Sequence, residues 1–157
     1  MKVLTFLLIL YSFAHEKIQA QSNGRLQIFN LSSQHVAIDG YDAVAYFKQG
    51  QPVKGKASLA VSHEGVIYHF ASIENKTDFL RSPSLYEPQY GGWCAYAMGA
   101  TGEKVDVDPE TFKIVNGKLY LFYNKYFNNT LKSWNKDEKS LNPRADVNWK
   151  KIYNPKL

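Results

Sequence analysis

The chain has 157 residues, 45% of them hydrophobic and 15% aromatic, which is enough for one domain with a real core and too few for two ordinary ones. Its formal charge is +5, but the basic residues are spread along the chain without an arginine cluster or basic recognition helix, so nucleic acid is excluded as the expected partner. The single cysteine, Cys94, excludes an internal disulfide; it must be buried, a ligand, a reactive thiol or half of an intermolecular bridge.

Residues 1–20 read as a signal peptide. Lys2 precedes the apolar run Val3 to Ser12, which falls short of the about 20 residues a bilayer span needs. Cleavage fits after Ser12-Phe13-Ala14 or after Ile18-Gln19-Ala20. Removing 1–20 takes away Lys2, Glu16 and Lys17 and lowers the formal charge from +5 to +4. The expected location is therefore exported, periplasmic or secreted, with no transmembrane segment in the mature chain. Residues 21–35 read as an N-terminal arm, 36–152 as the domain and 153–157 as a tail.

Asp39-Gly40 marks a turn, and Asp42 is placed to cap a helical turn over Ala43 to Phe47. Ala57 to His63, the Glu64-Gly65 turn and Val66 to Ala71 form a predicted hairpin over 57–71. Strand alternation puts Val66, Tyr68 and Phe70 on one face and Ile67, His69 and Ala71 on the other. Ser72 is a good N-cap for a helix over 73–81 that carries Ile73, Phe79 and Leu80. Asp106, Asp108 and Glu110 lie close together but lack calcium-loop spacing, which favours a solvated loop with Asp108 capping the turn at Pro109. Asn116-Gly117 between two β-rich runs predicts a type I′ hairpin over 112–123. Phe127, Leu131 and Trp134, at spacings of four and three, give the apolar stripe of a helix over 125–137. A last helix is expected over 143–151, with Val147, Trp149 and Ile152 on the core. The fold class is thus α+β: a small single domain of two antiparallel hairpins and short helices.

Several elements carry a signature. It comprises Gly40-Tyr41-Asp42, Val44-Ala45-Tyr46-Phe47, Tyr68-His69-Phe70-Ala71-Ser72, Pro88-Gln89-Tyr90-Gly91-Gly92, Cys94-Ala95 and Gly117-Lys118-Leu119-Tyr120-Leu121. In this order the chain resembles the YHS domain family, and most of all its exported single-domain members, from about Val36 to Trp149. The resemblance implies a small α+β fold in which a strand pair and a helix surround the signature. Related modules occur beside heavy-metal transport proteins and are described as metal-binding. Those members carry cysteines just after the Tyr-Phe strand, whereas Phe70-Ala71-Ser72 and Ile73 to Lys76 contain none here, so a multi-thiolate zinc site is absent from the pattern.

Soft metals favour thiolate and thioether ligands, and imidazole suits copper and zinc. Cys94 and Met98 are four residues apart and would share a helix face. His69 is the natural third ligand, His63 across the hairpin a fourth, and His35 a looser candidate. The leading expectation is an exported, non-enzymatic YHS-type module that binds a copper or zinc ion through Cys94, His69, Met98 and His63. The alternative is a small-molecule or protein-interaction domain whose cysteine is structural, since cysteine and methionine also fill cores. A thiol-dependent enzyme, with His69 and Asp42 or Asp106 behind Cys94, is third, and no nucleophile-elbow or phosphate-loop motif supports it. The patterns at Asn30, Asn75 and Asn128 fit N-glycosylation acceptors.

Overall fold

A computed structural model of the chain describes residues 24–154. The expected signal peptide over 1–20 lies outside the described residues. Helix α1 (24–28) leads into an extended segment, a turn at Ile38–Gly40 and helix α2 (Ala45–Lys48). Strands β1 (Lys56–His63) and β2 (Val66–Phe70) pair antiparallel, with Val61 opposite Tyr68 and His63 opposite Val66. Helices α3 (Ile73–Arg81) and α4 (Pro83–Tyr86) follow, then a turn at Gln89–Gly92 and helix α5 (Ala95–Ala100). Strands β3 (Asp108–Val115) and β4 (Lys118–Phe122) form the second hairpin, with Val115 opposite Lys118. A ribbon of β5 (Asn124–Lys125) and β6 (Asn128–Asn129) precedes helices α6 (Thr130–Lys136) and α7 (Glu138–Tyr153). The α+β architecture is as the residue pattern predicts.

The local signals place these elements. Ser72 accepts the Asn75 amide at 3.1 Å and opens α3. Asn116 and Gly117 both take positive φ, +52° and +70°, as a type I′ turn requires. Asp108 accepts the Glu110 amide and the Thr111 hydroxyl, both at 3.0 Å, so it caps its turn, while Glu110 accepts the Tyr41 hydroxyl. Asp108 and Glu110 are thus engaged separately rather than gathered into one site.

Strand β4 is the central element. Its residues alternate between two cores, Leu119 and Leu121 facing one, Tyr120 and Phe122 the other. The first core gathers Tyr46, Val66, Tyr68, Phe70, Phe79 and Cys94. The second gathers Tyr90, Met98, Trp134, Leu141 and Ala145. Helix α5 lies against α7 closely enough that a Cβ on Gly99 would stand 2.6 Å from the Leu141 carbonyl oxygen, so only glycine fits there. Each fully buried large side chain here contributes about 1.5–3 kcal/mol.

Two expectations are corrected. The helix predicted over 125–137 begins only at Thr130, because 124–129 form the β5–β6 ribbon and Asn129 caps α6 by accepting the Leu131 amide. Phe127 therefore leaves the apolar stripe and stands at the ribbon tip, fully exposed. The last helix starts at Glu138 rather than at Pro143, and Val147 on it is exposed while Trp149 and Ile152 pack on the second core. On α3, Phe79 is buried but Ile73 and Leu80 are exposed.

The segment expected as an arm is bound to the body. Arg25 is buried and pairs with Glu64 and Glu87, while Tyr68 donates to Glu87 at 2.7 Å. Burial works against the guanidinium charge, but Glu87, Tyr68 and Glu64 together offset it and hold Arg25 above its ordinary value. Phe29 stacks obliquely on Trp149 at 5.9 Å, closing the amino-terminal segment onto α7. Among the described residues, no helix is long and apolar enough to cross a membrane.

Candidate functional site

The Gly40-Tyr41-Asp42 segment is held by a buried carboxylate. Asp42 Oδ1 accepts the Val44 and Ala45 amides at 2.9 and 3.2 Å, which caps α2 as expected. Its Oδ2 accepts the Ala71 amide at 2.8 Å and the Asn75 side-chain amide at 2.7 Å. Four donors balance the charge, so Asp42 is a structural node with no capacity left for a reaction. Asn75, spent on this bond and buried, is closed to glycosylation in the folded chain.

On either side of this node the backbone does something uncommon. Ile38, Asp39 and Gly40 have φ of +52°, +48° and +78°; Tyr90, Gly91 and Gly92 have +57°, +60° and +86°. Both are single left-handed turns. A non-glycine residue there costs about 1–2 kcal/mol, and a β-branched residue such as Ile38 is a true outlier. The surroundings hold both turns. Ile38 is buried in the first core, and Asn30 bonds to the second turn through its amide to the Gly91 carbonyl (2.9 Å) and its side chain to the Gly92 carbonyl (3.3 Å). At Gly91 a Cβ would lie 2.8 Å from both Phe29 and Trp149, so no other residue fits.

Between the two turns lies a cleft of about 200 Å³. Leu31, Ile38 and Val107 supply its apolar lining, and Asp39, Asp106, Lys125 and Asn30 its polar groups. Asp39, Asp106 and Lys125 are exposed. Among the described residues their charged groups form no hydrogen bond or ion pair with one another or with other side chains; Lys54 reaches only the Asp39 carbonyl, at 2.6 Å. Asp39, Asp106 and Lys125 thus line one small cavity, and among the described residues their charged groups have no partner. A wider groove of about 440 Å³ runs along Phe29, Tyr90 and Trp149, but its carboxylates are engaged, Glu87 with Arg25 and Tyr68, Asp146 with the Tyr90 hydroxyl.

Cys94 is 0% exposed in the first core and stands at the start of α5. Its sulfur lies 3.4 Å from the Thr130 hydroxyl and 3.4 Å from the Tyr123 amide nitrogen. The Thr130 hydroxyl gives its proton to the Tyr123 carbonyl, at 2.9 Å. The thiol must therefore donate to Thr130 while it accepts the Tyr123 amide, an arrangement that uses the protonated form. Met98 is buried in the second core. His69 alternates away from Tyr68 and Phe70, whose side chains share the first core with Cys94, and its ring lies beside Gly40, where a Cβ would meet Nδ1 at 3.1 Å. His63 stands edge-on to Phe79, ring centres 5.9 Å apart. His35 occupies a left-handed turn position, and its carbonyl accepts the Ile67 amide.

The structure thus does not bring Cys94, Met98, His69 and His63 together. Among the described residues, no group of three or more His, Cys, Asp or Glu side chains is gathered to hold a metal ion. Residue patterns missed Arg25, Asn30 and Lys125. Lys125 is a plain surface lysine in sequence, and the other two act across separations that no local motif encodes. No family model, curated protein or solved structure matches the chain.

Proposed function

We propose that the chain is a non-enzymatic, exported binding module of the YHS type whose cysteine is structural. Its ligand is a small molecule carrying a protonated amine and a hydrogen-bond acceptor. The observation that carries this reading is the cleft between the two left-handed turns, with Asp39, Asp106 and Lys125 unpaired around it among the described residues. The carboxylates take the amine and Lys125 takes the acceptor; Ile38 and Val107 are buried, so the surface open to the ligand is mostly polar and suits one with little apolar body. A cavity of about 200 Å³ lies below the roughly 300–1,000 Å³ of drug-sized sites and fits a ligand of amino-acid size. Strain held at non-glycine positions beside a cavity also accords with a binding role, since such positions persist where the surroundings over-determine them. The signature tyrosines work as props on this reading: Tyr46 donates to the Pro109 carbonyl and Tyr90 to Asp146.

The test is thermal unfolding of the full chain with millimolar panels of free amino acids, simple amines and neutral polyols. A saturable rise in Tm with amines, absent with polyols and lost in Asp106→Asn, is expected. No stabilising amine, or undiminished binding by Asp39→Asn and Asp106→Asn, would refute the cleft. Anaerobic titration with Cu(I) and Zn(II) tests the thiol separately. Tight stoichiometric binding that disappears in Cys94→Ala would restore the metal reading.

A further inference from the structure

The β5–β6 ribbon has a tip that its own fold does not use. Asn124 pairs with Asn129 and Lys125 with Asn128, leaving Tyr126 and Phe127 as the two turn residues. Both have positive φ, +51° and +61°. A two-residue turn with both φ positive ordinarily calls for Asn-Gly, which this chain places in its other tight hairpin at Asn116-Gly117. Here two bulky aromatics occupy the strained positions instead. Tyr126 is 89% exposed and Phe127 fully so, and neither packs on either core. The ribbon is anchored below the tip. Thr130 donates its amide and its hydroxyl to the Tyr123 carbonyl, Cys94 bonds both residues, and Asn124 donates to Thr111 at 3.0 Å. The tip is a projecting pair of aromatics on a fixed base.

We propose that Tyr126 and Phe127 insert into the headgroup region of an anionic lipid surface. Charge supports a lipid occupant. From Thr111 to Lys136 the chain has no Asp or Glu and five lysines; Lys113 is paired with Glu138, while Lys125, which shares the cleft with Asp39 and Asp106, and Lys132 flank the tip and are exposed. Lysines beside an inserted group attract anionic headgroups, and aromatic side chains favour the membrane interface. Size argues against a protein occupant. Two aromatic side chains offer roughly 300–500 Å², whereas a stable protein interface needs roughly 800 Å² from each partner. A bilayer needs no matching surface.

Sedimentation of the mature chain, residues 21–157, with vesicles tests this. Binding to vesicles of phosphatidylserine and phosphatidylcholine is expected, with much weaker binding to phosphatidylcholine alone and loss on raising the salt. Tyr126→Ser/Phe127→Ser should weaken vesicle binding at least tenfold with an unchanged circular-dichroism spectrum, and Lys125→Gln/Lys132→Gln should remove the preference for anionic lipid. No binding to anionic vesicles, or equal binding by the serine variant, overturns the proposal. So does a dimer in solution that the serine variant dissolves, which would make the tip a protein contact.

Discussion

Cys94 and Asp42 are both fully buried, and both are spent on bonds that hold separate elements together. The Cys94 sulfur meets the Thr130 hydroxyl and accepts the Tyr123 amide, so Cys94 ties α5 to the exit of β4 and the entry of α6. Asp42 ties the α2 turn to the β2–α3 junction through four bonds. Replacing Asp42 by Ala leaves those donors buried and unpaired, at about 1–3 kcal/mol each. Asp42→Ala should therefore lose about 3 kcal/mol or more in urea unfolding, with partial recovery in no smaller variant. At this scale the sequence was half legible. Asp42 was readable as a cap because its capping bonds reach two and three residues ahead. Its bonds to Ala71 and Asn75 were not, because they span about thirty residues and leave no periodic trace. For Cys94 the sequence left burial and ligation open, and the partner that distinguishes them, Thr130, is 36 residues away.

At the level of elements, turn chemistry was the most readable part. Glu64-Gly65, Asn116-Gly117 and the Ser72 cap each act within four residues, and each stands where the pattern puts it. The β5–β6 ribbon was hidden because Tyr126-Phe127 is no turn signal, and Phe127 falls by chance four residues before Leu131. Asn129 before Thr130 was the available clue, as an N-cap that starts α6 later. The same mismatch makes a stability prediction. Tyr126→Asn/Phe127→Gly gives the turn the residues its geometry favours and should raise stability by about 1–2 kcal/mol, read from the urea midpoint. A stabilising change that also removes vesicle binding would identify the aromatics as kept for function.

Across the whole molecule, hydroxyls buried in the two cores set the response to pH. Tyr46, Tyr68 and Tyr90 are pushed well above the ordinary tyrosine range, each first by burial, and Tyr68 and Tyr90 further by Glu87 and Asp146. Each is neutral in the fold and ionises more easily when unfolded. Their contribution is fully present below the unfolded value of about 10 and is lost as pH rises above it. Stability should hold on the neutral side and fall steeply above about pH 10, with tyrosinate absorbance appearing in step with unfolding. Titration of all tyrosines in the native state would contradict this.

Phe29 rests against Trp149 and within 6.4 Å of Tyr153, ring centre to ring centre. The described chain therefore begins and finishes on the same patch, and its path is nearly a closed loop. Chain continuity at any one tight turn is then dispensable in principle. A permutant that joins residue 154 to residue 24 through a short Gly-Ser linker and opens between Asn116 and Gly117 cuts the chain where a Cβ on Gly117 would meet nothing within 4 Å. It should fold with the same two cores and a modest loss of Tm. Opening between Gly91 and Gly92 instead should abolish folding, because there the connection itself holds Asn30, Phe29 and Trp149 in register.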